Sequence, residues 1–199
     1  IRHHYKQILV TNYMKIGVDV DDVLTDFAGD FINFLNKKTG KSFKVSDILA
    51  DDPLSGAYQG LLPEKELDKI FEEFYKTSPY LIMTLIDGSK DAINKLSKKY
   101  ELHIITARHN KPDTIEWINN NFGNVFKTIN FREGRKKSDI CKELGLNIMI
   151  EDSIKYAEQC ANAGIKVLLF DKPWNKELTH KNITRINSWK NISEIMSQN

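Results

Sequence analysis

The 199-residue chain has little of several things that would fix its class at once. Its only two cysteines, Cys141 and Cys160, form neither a Cys-x-x-Cys pair nor a Cys/His cluster. A disulfide scaffold and a zinc site are therefore not expected, and both thiols read as reduced core residues. No excess of one charge exists: 29 Lys+Arg stand against 27 Asp+Glu, and a net charge of +2 gives no electrostatic case for a nucleic-acid polymer or an anionic membrane. No apolar run approaches the ~18 residues of a membrane helix, and no basic stretch leads into an apolar core and a small-residue cleavage site. Internal repeats and low-complexity tracts are missing as well. These absences leave the expectation of a soluble, cytoplasmic protein with one sizeable core and room for a small insert.

What is present is concentrated in one stretch, Lys15 to Phe27. A short apolar run, Ile16 to Val20, meets four acids within eight residues: Asp19, Asp21, Asp22 and Asp26. Carboxylates are rarely buried unless paired or bound to metal. If the apolar run is a buried strand, its acids gather at the strand end, the edge where open α/β sheets bind ligands. Residues 1–13 precede Met14 and are set aside as a remnant or an upstream extension, and the adjacent His3 and His4 receive no role.

After the acidic turn, Phe27, Phe31, Phe34 and Leu35 recur at helical spacing up to Gly40. Polar and turn-forming pieces follow to Leu62, and then a second helix opens at Pro63, carries Leu67, Ile70, Phe71, Phe74 and Tyr75, and stops at Ser78-Pro79. Residues 28–80 therefore read as a mostly helical insertion, with 14–27 and 81–199 forming the core. From Ser89 strands and helices alternate: helix to Lys99, strand Leu102–Thr106, helix Pro112 to Phe122 capped by Asn110, a short strand Thr128–Phe131, helix Ser138–Leu144, strand Asn147–Ile150, helix Ser153–Ala163 and strand Lys166–Phe170. That rhythm predicts a three-layer α/β fold with a Rossmann-like parallel sheet. A tail with Trp174 and Trp189 closes in a short helix, for which Asn191 and Glu194 have capping-box spacing.

Four polar signals then fall at strand ends or helix starts: Asp19-Val20-Asp21, Thr106, Lys136-Lys137 and Glu151-Asp152. Each alone is weak, since caps and solvated surfaces explain any one of them. Together they would project from one sheet edge. This ordered set resembles the haloacid dehalogenase superfamily of phosphotransferases: an apolar strand then Asp-x-Asp, a strand ending in Thr or Ser, a Lys, and a strand ending in an acidic pair. Where the superfamily often has Gly-Thr after the second Asp, this chain has Asp22-Val23. The run Asp19 to Asp26, D-x-D-x-V-L-x-D, is more similar to the 5′(3′)-deoxyribonucleotidase branch, whose cap the helical insertion also resembles.

The resemblance implies a Mg²⁺-dependent phosphomonoesterase working through an aspartyl-phosphate, with a nucleoside monophosphate as its small-molecule substrate. Asp19 would be the nucleophile and a metal ligand, joined at the metal by Asp152 and the backbone carbonyl of Asp21, with Glu151 accepting from a metal-bound water. Asp21 would act as general acid and then base. Thr106, the amide of Ala107 and a lysine would hold the phosphoryl oxygens; Lys137 is preferred over Lys136 because it lies nearer the apolar positions Ile140 and Cys141. Asp26 reads as a helix cap, Asp22 as cap or metal support, Arg132 and Arg135 as solvated, His109 as surface, and Arg108 as evenly balanced between surface and substrate. Phe27, Tyr58, Phe71, Phe74 and Tyr80 read as core rather than as base-stacking residues. Another small phosphate ester, a phosphotransferase, or a phosphate-responsive signalling or binding domain without turnover are the alternatives.

Overall fold

The computed structural model describes residues 14–48, 58 and 60–197. The expectations for residues 1–13, including His3 and His4, lie outside that set. The described residues form a six-stranded parallel sheet in the order β3-β2-β1-β4-β5-β6. Its strands are β1 (Lys15–Val18), β2 (Glu101–Thr106), β3 (Phe126–Phe131), β4 (Ile148–Glu151), β5 (Lys166–Phe170) and β6 (Ile183–Ile186).

Central β1 pairs with β2 through Val18 and Ile104 and with β4 through Val18 and Ile150. A strand with neighbours on both sides and helices on both faces must be apolar throughout, which is why Ile16 and Val18 bear no polar alternation. Gly17 leaves no room for a side chain in β1: a Cβ there would stand 2.6 Å from Leu146 Cδ1 and 2.7 Å from Met149 Sδ.

Alternation along the outer strands divides the core in two. Leu168 and Phe170 face one side, with Ile16, Val18, Ile104 and Trp189; Val167 and Leu169 face the other, with Ile105, Met149, Cys141 and Cys160. The second side is covered by α5 (Lys137–Leu144) and α6 (Ile154–Asn162). Across the first side lie α3 (Ser89–Leu96), α4 (Lys111–Phe122) and α7 (Trp189–Ser197). Helix–sheet–helix layering is the expected three-layer α/β architecture. Cys141 and Cys160 are free and fully buried, with sulfurs 4.0 Å apart.

Between β1 and α3 the chain forms α1 (Phe27–Thr39) and α2 (Glu64–Tyr75). Their apolar stripes meet in an aromatic seam where Phe31 and Phe71 stack at 3.9 Å and Phe74 meets Phe27 edge-on at 6.0 Å. Gly40, at φ 70°, ends α1 in the left-handed conformation that favours glycine. Asp30 then ties α1 to the returning chain, its carboxylate accepting from the Thr84 amide and hydroxyl, both at 2.8 Å.

Most helix and strand limits fall within two residues of expectation, the usual uncertainty of element ends. The sequence reading lacked β6, whose Ile183-Thr184-Arg185-Ile186 is half polar because it is an edge strand. It also misplaced the start of α7. The Ser188 hydroxyl accepts from the Asn191 amide at 3.3 Å, so Asn191 lies within the first turn and its own side chain reaches back to the Asn187 amide.

Trp189 fastens this last helix to the acidic turn. The indole is 1% exposed, packs on Phe170, and donates from Nε1 to the Val23 carbonyl at 2.9 Å. Trp189→Phe keeps most of the packing but strands that carbonyl, and is expected to cost about 1–3 kcal/mol; Trp189→Ala adds a cavity and should cost about 3–5 kcal/mol. Urea denaturation of the two variants checks the order and the gap.

Candidate active site

Parallel strands all end their carboxyl termini at one edge, and the predicted residues collect there. Asp19 follows β1 and still donates its amide to the Ile150 carbonyl at 3.0 Å, so its carboxylate is held level with the end of β4. Glu151 ends β4, with Asp152 next to it; Thr106 ends β2, with Ala107 after it; Lys137 is the first residue of α5.

Lys137 is the hub. Its ammonium is fully buried and reaches Asp19 Oδ1 at 2.8 Å and Glu151 Oε1 at 3.0 Å, with the Tyr156 ring 4.4 Å below. Burial alone would lower its pKa, but Asp19 and Glu151 outweigh it and hold the amine well above the ordinary lysine range. Its neighbour Lys136 is exposed.

Acidic side chains outnumber that one ammonium. Oxygens of Asp19, Glu151 and Asp152 lie within 4.8 Å of one another, all buried. Burial pushes the carboxyls of Glu151 and Asp152 well above the usual range; Asp19 adds to the effect on Glu151, and Asp22 and Asp19 to that on Asp152. Hard oxygen ligands crowded in surplus over their counter-charge suit a divalent cation of the Mg²⁺ or Ca²⁺ type. The donor set therefore fits a metal, and within it Glu151 and Asp19 are also engaged by Lys137.

Asp21 takes a different direction from the metal cluster. Its carboxylate meets Arg108, with Nε 3.0 Å from both oxygens and Nη2 2.6 Å from Oδ1, while the Thr25 hydroxyl donates to Oδ1 at 3.2 Å. Arg108 is only 4% exposed, which removes the surface reading for it. Asp22 sits at φ 56°, a left-handed position that Asp tolerates in turns, and its Oδ1 accepts from the Ala28 amide at 3.1 Å. Burial raises its pKa to about 7 even though Lys172, 3.9 Å away, opposes the shift. Asp26 caps α1 by accepting from the Gly29 amide, as expected.

Thr106 is fully buried and its hydroxyl accepts from the Arg108 amide at 3.2 Å, which shapes the Thr106-Ala107-Arg108 loop into a turn at the floor of the site. Above this floor opens a cavity of about 370 Å³, within the range of small-molecule sites. Asp19, Asp21, Asp152 and Ala107 line its base, and Phe27, Tyr58, Tyr75 and Tyr80 its walls. Phe71 and Phe74 stay in the aromatic seam. Phe27, Tyr58 and Tyr80 pack in the core and also face the cavity. Exposed His109 lies at its rim, and Arg132 also lines it, with its guanidinium over Tyr156, unlike the solvated Arg135.

Two contributors had escaped the sequence reading. The Trp174 indole donates to Asp152 Oδ2 at 3.1 Å, and the Asn175 amide donates to the carbonyls of Asp152 at 2.6 Å and Phe170 at 2.7 Å. Both lie in the short turn that follows β5 at the same edge, where no local pattern marks them.

The chain is similar to known proteins along nearly its whole length. It is 28% identical over 184 residues to the 5′(3′)-deoxyribonucleotidase of Bacillus subtilis, covering 89% of this chain and 95% of that one. Among solved structures it resembles a haloacid dehalogenase-like hydrolase of Streptococcus pneumoniae, with a TM-score of 0.67 at 18% identity over 92% of this chain and 98% of that one. It also resembles the hydrolase YfnB of Bacillus subtilis, solved bound to magnesium, with a TM-score of 0.60 at 16% identity over 92% and 98%. Residues 12–198 match the family described as 5′ nucleotidase, deoxy (pyrimidine), cytosolic type C protein. A fold shared with haloacid dehalogenase-like hydrolases and a family match of that extent agree: the chain belongs to this nucleotidase family.

Proposed function

We propose that the protein hydrolyses a nucleoside monophosphate through an aspartyl-phosphate on Asp19, with Mg²⁺ as its metal. The observation that carries this reading is the buried row Glu151–Lys137–Asp19 with Asp152 alongside, of which Asp19 and Asp152 line the aromatic-walled cavity. Within the expected cap, residues 28–80, of which 49–57 and 59 lie outside the described residues, α1 and α2 cover that cavity.

The substrate's phosphate enters above Asp19. Lys137, the Thr106 hydroxyl and the Ala107 amide bind its non-bridging oxygens, which offsets the repulsion between a phosphate anion and an attacking carboxylate. A Mg²⁺ ion held by Asp19, Asp152 and the Asp21 carbonyl supplies further positive charge on the same oxygens when bound. Asp19 attacks phosphorus as the ester P–O bond breaks, and Asp21 gives the departing alcohol its proton. Asp21 then takes a proton from water, which cleaves the aspartyl-phosphate, releases phosphate and restores Asp19. Lys137 remains protonated throughout because Asp19 and Glu151 flank it. Trp174 fixes Asp152 Oδ2, leaving Oδ1 for the metal.

Phosphate release measured over nucleoside 5′- and 3′-monophosphates, sugar phosphates and other small esters tests the reaction. Nucleotides should be turned over in the presence of Mg²⁺, chelation should stop the reaction, and Asp19→Asn should lower kcat more than about 1,000-fold. Full activity in Asp19→Asn, or no release from any ester, would count against it.

The raised acids give a second test. Between the ordinary Asp value of 3.8 and about 7 for Asp22, the folded protein binds more protons than the unfolded chain, so metal-free stability falls as pH rises through that window. Glu151 and Asp152, shifted in the same direction, add to the loss. Metal-free protein should melt higher at pH 5 than at pH 8, and saturating MgCl₂ should raise Tm by about 5 °C at pH 8 and by much less at pH 5. Scanning calorimetry reads both, and a melting point indifferent to Mg²⁺ at pH 8 would remove the metal from the scheme.

A further inference from the structure

Arg108 is the most unusual side chain near the site. Its guanidinium is buried, lies 4.3 Å from the Tyr80 ring centroid, touches Met83 Sδ through Nη2 at 3.0 Å, and grips Asp21 through Nε and Nη2. A purely structural arginine would be expected to have all its donors satisfied in the folded protein. Here Nη1 is buried without a partner, in a residue that lines the cavity.

The contacts on Asp21 are unequal. Oδ1 receives Nε, Nη2 and the Thr25 hydroxyl, whereas Oδ2 receives only Nε, at 3.0 Å. One carboxylate oxygen is filled and the other is left open. Arg108 also follows Thr106 and Ala107 directly, so its head lies one step beyond the phosphate floor, on the side of Asp21.

We propose that Arg108 is a positioning residue for the leaving-group side of the reaction. Its grip aims Oδ2 of Asp21 at the ester oxygen. The inference rests on the phosphatase reading above. In the step it assists, the P–O ester bond breaks, the bond from phosphorus to Asp19 forms, and the proton on Asp21 Oδ2 passes to the alkoxide. Arg108 neither gains nor loses a proton.

Two esters separate this role from a general one. Thymidine 5′-monophosphate needs a proton on its leaving oxygen, whereas p-nitrophenyl phosphate releases a stable phenolate. The parameter to compare is kcat/KM, which ends at the first irreversible step, transfer to Asp19, and so excludes the later attack by water. Arg108→Met should lose about 100-fold on the nucleotide and less than about 5-fold on the aryl ester, the scale expected for lost acid–base assistance. The retained aryl-ester turnover also demonstrates that the variant is folded. Arg108→Lys, which keeps the buried charge without the two-pronged grip, should show the same split in smaller measure. Adding Arg108→Met to Asp21→Asn should cost less than about 3-fold more on the nucleotide, because the two act on one proton transfer. Equal losses on both esters, or no loss on either, would overturn the inference while leaving the phosphatase reading intact. Wild-type protein inert toward both esters would overturn the phosphatase reading and this inference together.

Discussion

A buried ammonium between two carboxylates is the constraint around which the site is built. Lys137 cannot be left in the interior without its acids, and Asp19 and Glu151 cannot be left there without it; removing one partner of such a group typically costs several kcal/mol. The requirement dictates topology. Asp19 and Glu151 must end adjacent parallel strands, as β1 and β4 do, and the first turn of α5 must lie across their ends. The surplus carboxyls of Asp152 and its neighbours, pushed above the usual range by burial, are a donor set of the kind that suits a cation.

Around that centre the fold separates two kinds of carboxylate by direction. Those facing Lys137 share one patch, while Asp21, two residues after Asp19, is turned away to Arg108. The turn that achieves this depends on Asp22 taking a left-handed conformation and anchoring itself to the Ala28 amide. Arg108 in turn rests on Tyr80 and Met83, and the Met83 carbonyl is held by the Trp117 indole at 3.1 Å. The segment between α2 and α3 therefore meets the Thr106–Arg108 loop through that guanidinium, which joins the cavity wall mechanically to its floor.

Legibility in the sequence followed the range of the interaction. An abrupt change from apolar strand to acid is local, so the edge carrying Asp19, Thr106 and Glu151-Asp152 could be read before any coordinates, and Lys137 followed from its place beside the apolar face of α5. Parallel layering was equally readable because the interior strands are mostly apolar on both faces. Arg108 was undecided because its burial is set by Tyr80 and Met83, more than twenty residues away in sequence. Trp174 and Asn175 meet Asp152 across a similar separation, and aromatic or amide side chains carry no marker of the carboxylate or carbonyl they will meet. Strand β6 escaped because an edge strand needs only half its residues to be apolar.

The Trp189 indole and the Val23 carbonyl are 166 positions apart in the chain. During synthesis the acidic turn emerges from the ribosome early, but the donor that holds it in place arrives only with α7. Translation at roughly 5–20 residues per second leaves an interval of order ten seconds in which the nascent chain carries all its carboxylates without that brace. Maturation of the site is consequently a late, whole-chain event, and fragments released before residue 189 would lack a settled acidic loop even if most of the sheet had formed.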